Sequence, residues 1–180
     1  LSATLAQGRP VAERGLLAEA DGGLLVIPSA ERLDGGRTAR IVRTLDYGRV
    51  EMERDGLSAK LPARFGIIAL DEGVEPDETV ATALRDRLAI WLSLDGLSLR
   101  DTGISTDWPH RIAAARRLLP ETTADANLAT LFCEAGCALG IHSIRAPILA
   151  IAIARINAAL DGRTQATTAD AEVAARLVLG

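Results

Sequence analysis

Residues 14–27 read RGLLAEADGGLLVI, a short helical pattern followed by an uninterrupted apolar run. The pair Gly22-Gly23 suits a helix end, because glycine readily adopts the left-handed conformation that closes a helix C-terminus. The apolar run at 24–27 lies between this pair and Pro28, which predicts a strand buried on both faces. A helix leading into a strand of this kind indicates an α/β fold.

The remainder of the first half continues the alternation of helices and strands. The apolar spacing predicts further strands over 65–70 and 88–92, and helices over 11–20, 37–45 and 79–87. Residues 50–61 resemble a hairpin that turns at Asp55-Gly56. We therefore predict an α/β core over residues 1–94, incomplete at its N-terminus, with a hairpin insertion at about 50–61.

The second half shows only helical patterns. Helices are predicted from Pro109 to before Pro120, from about Asp125 to Leu139 with Gly140 as cap, over 147–160, and from Thr167 with Asp170 in a capping box. A polar, glycine-containing segment precedes them and is typical of a linker. The predicted organisation is a linker over 95–106 and a helical lid domain over 107–180.

Composition restricts the function classes. Hydrophobic residues make up 48% of the 180 residues and charged residues 24%, as in soluble globular proteins. The net charge of -4 argues against a nucleic-acid surface, and the longest apolar stretch, 148–154, is too short for a membrane helix. We expect a cytoplasmic protein that binds no nucleic acid, has no membrane span and is part of a longer chain, since the sequence lacks an initiator Met.

Metal binding is not predicted. Cys133, Cys137 and His142 could be drawn as zinc ligands, but a fourth ligand is missing. Two cysteines four residues apart on an apolar helix are more typical of a core. Trp91 and Trp108 are interpreted as packing anchors.

Four stretches resemble the magnesium chelatases, a family of AAA+ ATPases and their partners. Residues 14–27 resemble the chelatase helix that leads into the Walker B strand, and 50–65 the hairpin before the sensor-1 strand. The segment 84–88, LRDRL, is similar to the family's arginine-finger segment, and 139–145, LGIHSIR, to the start of its sensor-2 helix. The resemblance implies an AAA+ P-loop-type parallel sheet with helices, followed by an all-α lid.

The hydrolytic carboxylates of this family are missing. The resemblance places Pro28-Ser29 where active I subunits carry Asp-Glu, the residues that hold Mg²⁺ and orient the attacking water. Residues 71–73 stand where the sensor-1 Asn is expected. No Gly-x-x-x-x-Gly-Lys-Ser/Thr motif occurs, so the P-loop is either upstream of this chain or absent from the protein. The resemblance is therefore to the D subunits, and no ATPase activity of the chain itself is expected.

Two arginines are the candidate site residues that the resemblance implies. Arg87 corresponds to an arginine finger that acts in trans on a nucleotide held by a neighbouring subunit. Arg145 corresponds to sensor 2, which approaches the γ-phosphate; without a competent pocket it instead braces an intersubunit contact. Taken without the resemblance, an Asp-Arg pair at a helix end is most often a solvated cap.

The implied function is a non-hydrolysing AAA+ subunit of magnesium chelatase, which inserts Mg²⁺ into protoporphyrin IX in chlorophyll and bacteriochlorophyll synthesis. It is expected to form a homo-hexameric ring and to be an assembly and allosteric platform for the I subunit and the H subunit. ATP and Mg²⁺ are expected at the level of the complex, mainly on the I subunit. The alternative is an active MoxR-like or chelatase I-type ATPase; a helical transcription-regulator domain is disfavoured because no basic recognition helix is present.

Overall fold

The computed structural model describes residues 14–54, 57–98, 100, 103 and 107–180. The chain divides into two compact units, Leu1–Arg85 and Asp86–Gly180. The first contains strands and helices, and the described part of the second is built from helices. Of the predicted linker at 95–106, six residues lie outside the described ranges: 99, 101, 102 and 104–106.

A short parallel pair of strands organises the first unit. Helix α1 (Leu16–Glu19) leads into strand β1 (Leu24–Ile27), which pairs in parallel with β4 (Gly66–Ala69). The register joins Leu24 to Gly66 and Ile27 to Ala69. Helix α1 covers only part of the predicted helix at 11–20, whose first three residues lie outside the described chain.

Burial of these strands differs from the prediction. In β1, Leu25 and Ile27 are buried, but Leu24 is 67% and Val26 53% exposed. Strand β4 likewise alternates between exposed and half-buried positions. The apolar runs predict the strands correctly, whereas burial on both faces is wrong for the described residues. An apolar run reports hydrophobicity and does not show which face another element covers.

Helix α2 and a hairpin lie between the paired strands. Helix α2 (Gly35–Tyr47) contains the predicted helix at 37–45 and is capped by Asp34, whose carboxylate accepts a hydrogen bond from the Arg37 backbone N–H. Strands β2 (Arg49–Arg54) and β3 (Leu57–Pro62) then pair antiparallel. The predicted turn at Asp55-Gly56 lies outside the described residues.

The segment 79–92 contains less regular structure than predicted. Helix α3 covers only Thr82–Arg85, and residues 88–92 form no strand. Instead, the Trp91 backbone N–H donates to the Leu177 carbonyl at 3.1 Å. The strand prediction is wrong: the Trp91 backbone is bonded to the helical unit, and the side chains of Ile90 and Leu92 are exposed.

The second unit contains four α-helices among its described residues. They are α4 (Trp108–Leu118), α5 (Ala126–Ala138), α6 (Arg145–Leu160) and α7 (Thr168–Val178). Small side chains dominate their core, which consists of Leu128, Phe132, Ala150, Ala154, Ala158, Ala166, Ala171 and Ala174. The α6 alanines recur every fourth residue, so one narrow face of this helix lies against its neighbours.

Two of the non-catalytic interpretations also need correction. Cys133 and Cys137 are both exposed, although a core position was expected. Trp91 is 39% and Trp108 44% exposed, so neither is a fully buried packing anchor. None of the helices in the described ranges is long and apolar enough to cross a membrane.

Candidate site at the strand edge and in the helical unit

The carboxyl end of β1 carries the residues that replace the Walker B pair. Pro28 and Ser29 follow the strand directly, and Ser29 has a left-handed backbone with φ of 46°. The Ser29 hydroxyl donates to Glu72 Oε2 at 2.5 Å. Glu72 follows β4, so the parallel pairing brings these two side chains to the same edge.

A second carboxylate at this edge was not identified from the sequence. The Glu31 side chain is only 2% exposed, its Oε2 accepts a hydrogen bond from the Glu72 backbone N–H at 3.1 Å, and its Oε1 lies 3.4 Å from Arg32 Nε. The signal that could have revealed it is an acidic residue one turn after a buried strand.

The residues after β1 determine whether this edge of the sheet could bind Mg²⁺ for hydrolysis. A Walker B site needs a carboxylate directly after the strand to hold Mg²⁺ and a second one to orient water. Here Glu72 is bonded to Ser29, and Glu31 is bonded to the Glu72 backbone. Pro28 and Ser29, which directly follow β1, supply no carboxylate, so these two positions do not fit a Walker B metal site.

The two predicted arginines lie in the second unit. Arg87 is half-buried and follows Asp86 in the turn after α3. Arg145 is the first residue of α6 and is more exposed, with 44% of its side-chain surface accessible. Their assignments as arginine finger and sensor 2 stay predictions.

Asp86 connects these two positions. Its Oδ2 lies 3.1 Å from Arg145 Nε, and its Oδ1 accepts a short hydrogen bond from the Ser143 hydroxyl. The same hydroxyl accepts from the Arg145 backbone N–H at 3.1 Å. A serine hydroxyl has one proton, so the bond accepted from the backbone leaves that proton for the carboxylate. We call Asp86, Ser143 and Arg145 the Asp86 cluster; the sequence predicted Arg145 but neither of its partners.

Family comparison identifies the helical unit. Residues 128–180 match the AAA lid domain family. They include α6 and α7 and most of α5. Together with the parallel strand pair of the first unit, this match confirms the predicted fold class, an AAA+ α/β part with a helical lid.

Similar proteins cover nearly the whole chain. It is 39% identical over 178 residues to the magnesium-chelatase 60 kDa subunit of Cereibacter sphaeroides, covering 99% of this chain and 29% of that subunit. The 67 kDa subunit of Chlorobaculum parvum is 29% identical over 197 residues, which cover 99% of this chain and 32% of that subunit. The 38 kDa subunit of Rhodobacter capsulatus is 30% identical over 186 residues, which cover 89% of this chain and 52% of that subunit.

The similarity is greater to the 60 kDa subunit than to the 38 kDa subunit, in both identity and the share of this chain aligned. The chain spans less than a third of the 60 and 67 kDa relatives. Over nearly its whole length the chain is similar to part of the 60 and 67 kDa (D-type) subunits of magnesium chelatase, and its structure is that of an AAA+ α/β part with a helical lid.

Proposed function

We propose that this chain is the non-hydrolysing AAA+ part of a cytoplasmic magnesium-chelatase subunit, and that it assembles with the ATPase I subunit as a platform. The observation that carries the proposal is the strand edge after β1. Pro28 and Ser29 supply no carboxylate, and the Ser29 hydroxyl is bonded to Glu72. A subunit with this edge would depend on a neighbour for ATP hydrolysis.

In this proposal, Arg87 is the chain's contribution to that neighbour. ATP bound to the I subunit supplies the phosphoryl group. The Arg87 guanidinium would lie against that group and stabilise the charge that develops in the transition state. An arginine suits this role because its charge is permanent and its planar donors match phosphate oxygens.

This role requires a complex with the I subunit. In that complex, copies of this chain would form a homo-hexameric ring. The ring would also act on the H subunit. The similarity to 38 kDa subunits supports a shared AAA+ architecture for the two ring components. Mg²⁺ insertion into protoporphyrin IX would be the activity of the whole complex, with ATP and Mg²⁺ bound mainly by the I subunit.

The experiment that separates this proposal from an active ATPase uses the full-length protein alone. Steady-state ATP turnover is measured, and then Mg²⁺ insertion is followed by porphyrin fluorescence after addition of the I and H subunits. We expect no turnover by the protein alone and insertion only when all three subunits are present. Turnover at the rate of an ordinary AAA+ ATPase would instead support the chelatase I-type or MoxR-like alternative.

A further inference from the structure

We propose that Asp86 and Arg145 form a positioning pair for Arg87, so that Arg145 acts by holding Asp86 and not by contacting a nucleotide. The inference rests on the proposed function, because it concerns how the trans-acting arginine is placed. It assigns Arg145 a role different from sensor 2 and gives Asp86 and Ser143 roles that the sequence did not suggest.

Asp86 is held through both of its carboxylate oxygens. Both of its carboxylate oxygens are used, one by Arg145 Nε at 3.1 Å and the other by the Ser143 hydroxyl. Contacts to both oxygens restrain the side-chain torsions of an aspartate. Since Asp86 directly precedes Arg87, the backbone on the N-terminal side of Arg87 is held as well.

Both partners of Asp86 lie at the start of a packed helix of the same unit. Ser143 and Arg145 are at the N-terminus of α6, the longest helix of the lid unit, and Arg145 is bonded to Ser143 through its own backbone. Helix α6 is buried along its alanine face, with Ala150 and Ala154 fully inaccessible. The Asp86 cluster therefore ties the Arg87 segment to a rigid helix of its own unit.

The ion pair between Asp86 and Arg145 is too exposed to contribute much to folding. The Arg145 side chain is 44% and the Asp86 side chain 28% exposed. Ion pairs of this exposure contribute little to folding stability. A displacement of about 1 Å, in contrast, can reduce the effect of a catalytic group by ~100-fold. The expected consequence of breaking the pair is thus a change in turnover and not in folding.

The test is a double-mutant cycle in the full-length protein, with ATP turnover of the I subunit as the readout. The variants are Asp86→Asn, Arg145→Gln and their combination. Arg87→Ala is the reference for loss of the finger, and Arg145→Lys retains the cation. Arg176→Ala, an exposed arginine on α7, is the matched control. Thermal unfolding of each variant checks that it folds.

The pair predicts a specific pattern. Each single variant lowers the maximal turnover by roughly 10-fold or more, while the KM for ATP and the half-saturating concentration of the full-length protein stay within about twofold. The combined variant is no worse than either single one, because both remove the same interaction. Arg145→Lys keeps most of the turnover, and Arg176→Ala keeps all of it.

Two results would overturn the inference while leaving the proposed function intact. One is that Arg87→Ala lowers turnover but Asp86→Asn and Arg145→Gln do not. The other is that the losses of the single variants multiply in the combined one, which means that Arg145 acts independently of Asp86. If Arg87→Ala itself changes nothing, the finger role in the proposed function fails and the positioning pair fails with it.

Discussion

Asp170 is a buried carboxylate in the lid unit with several hydrogen-bond partners. It is buried, and Arg163 approaches both of its oxygens at 2.7 Å. Asn157 Nδ2 and the Thr167 backbone N–H each donate to it at 2.7 Å. The Arg163 guanidinium holds the pKa of Asp170 well below its usual range, and Asp170 in turn raises the pKa of Arg163. One carboxylate thus connects α6, the loop after it and the first turn of α7.

We expect Asp170→Asn to lower the free energy of unfolding by about 1.5 kcal/mol, the lower end of the range for hydrogen bonds to a charged group. The lower end applies because the Arg163 side chain is 37% exposed and can be resolvated. Urea unfolding followed by circular dichroism measures the change. Asp161→Asn is the control: that carboxylate also contacts Arg163 but is 50% exposed, and its loss should have little effect. Equal effects of the two variants would contradict this account of Asp170.

The contribution of Asp170 to the free energy of unfolding should depend on pH in a defined direction. A carboxylate whose pKa is lower in the folded state stabilises the fold above its unfolded pKa, and this stabilisation is lost as the pH falls through the folded value. For Asp170 the loss begins near its ordinary value of 3.8. The stability difference between the wild-type chain and Asp170→Asn should be constant from about pH 7 to 5 and shrink toward pH 3. A difference that grows on acidification would show that the paired carboxylate is not its source.

Only some residues of the candidate site could be predicted from the sequence. Arg87 and Arg145 were identified because their neighbours resemble family motifs. Asp86 was visible only as part of one of these motifs, and its partner Ser143 is 57 residues away in sequence. Such pairings depend on the tertiary fold, so spacing along the chain could not reveal that Arg145 lies against Asp86.

Backbone hydrogen bonds close the C-terminus of helix α5. The Ile141 N–H donates to the Gly136 carbonyl at 2.8 Å and the Gly140 N–H to the Cys137 carbonyl at 3.1 Å. This is a Schellman motif, and Gly140 has the required positive φ of 70°. The predicted cap at Gly140 is confirmed, because the left-handed requirement of a helix end is local to the sequence.

Two glycines of this helix should respond oppositely to alanine. Gly140→Ala forces a side chain into the left-handed region and should destabilise the chain by about 1 kcal/mol. Gly136 has helical geometry, and a Cβ there would meet nothing within 4 Å. Gly136→Ala should therefore stabilise the chain by up to about 1 kcal/mol. Thermal unfolding of both variants checks the prediction, and a shift in the same direction for both would refute it.

Other elements show where local patterns stop being sufficient. Four helices of the second half were predicted to within a few residues, because caps and apolar periodicity specify helix ends. The strand expected at 88–92 was not found, and β1 is covered on one face only among the described residues. Both errors concern apolar runs of five residues or fewer, whose environment is set by neighbours distant in sequence.

The two units carry different parts of the proposed function. The strand edge of the first unit explains why hydrolysis is not expected, and the lid unit carries both candidate arginines. The similarity to 60 kDa subunits extends over both units. The similarity to magnesium-chelatase subunits could be predicted from motifs spread along the chain, whereas the hydrogen bonds of Glu31 and Glu72 could be seen only in the structure.

The trans-acting role of Arg87 is tested by steady-state ATP turnover of the I subunit mixed with the full-length protein, compared with the mixture that contains its Arg87→Ala variant. We predict no turnover by the full-length protein alone, stimulated turnover in the wild-type mixture, and loss of at least roughly 10-fold with Arg87→Ala, since arginine fingers contribute up to ~10³ to 10⁵ in rate. Undiminished turnover with Arg87→Ala, or hydrolysis by the full-length protein alone, would contradict the claim that this chain supplies an arginine to a neighbour instead of hydrolysing ATP itself.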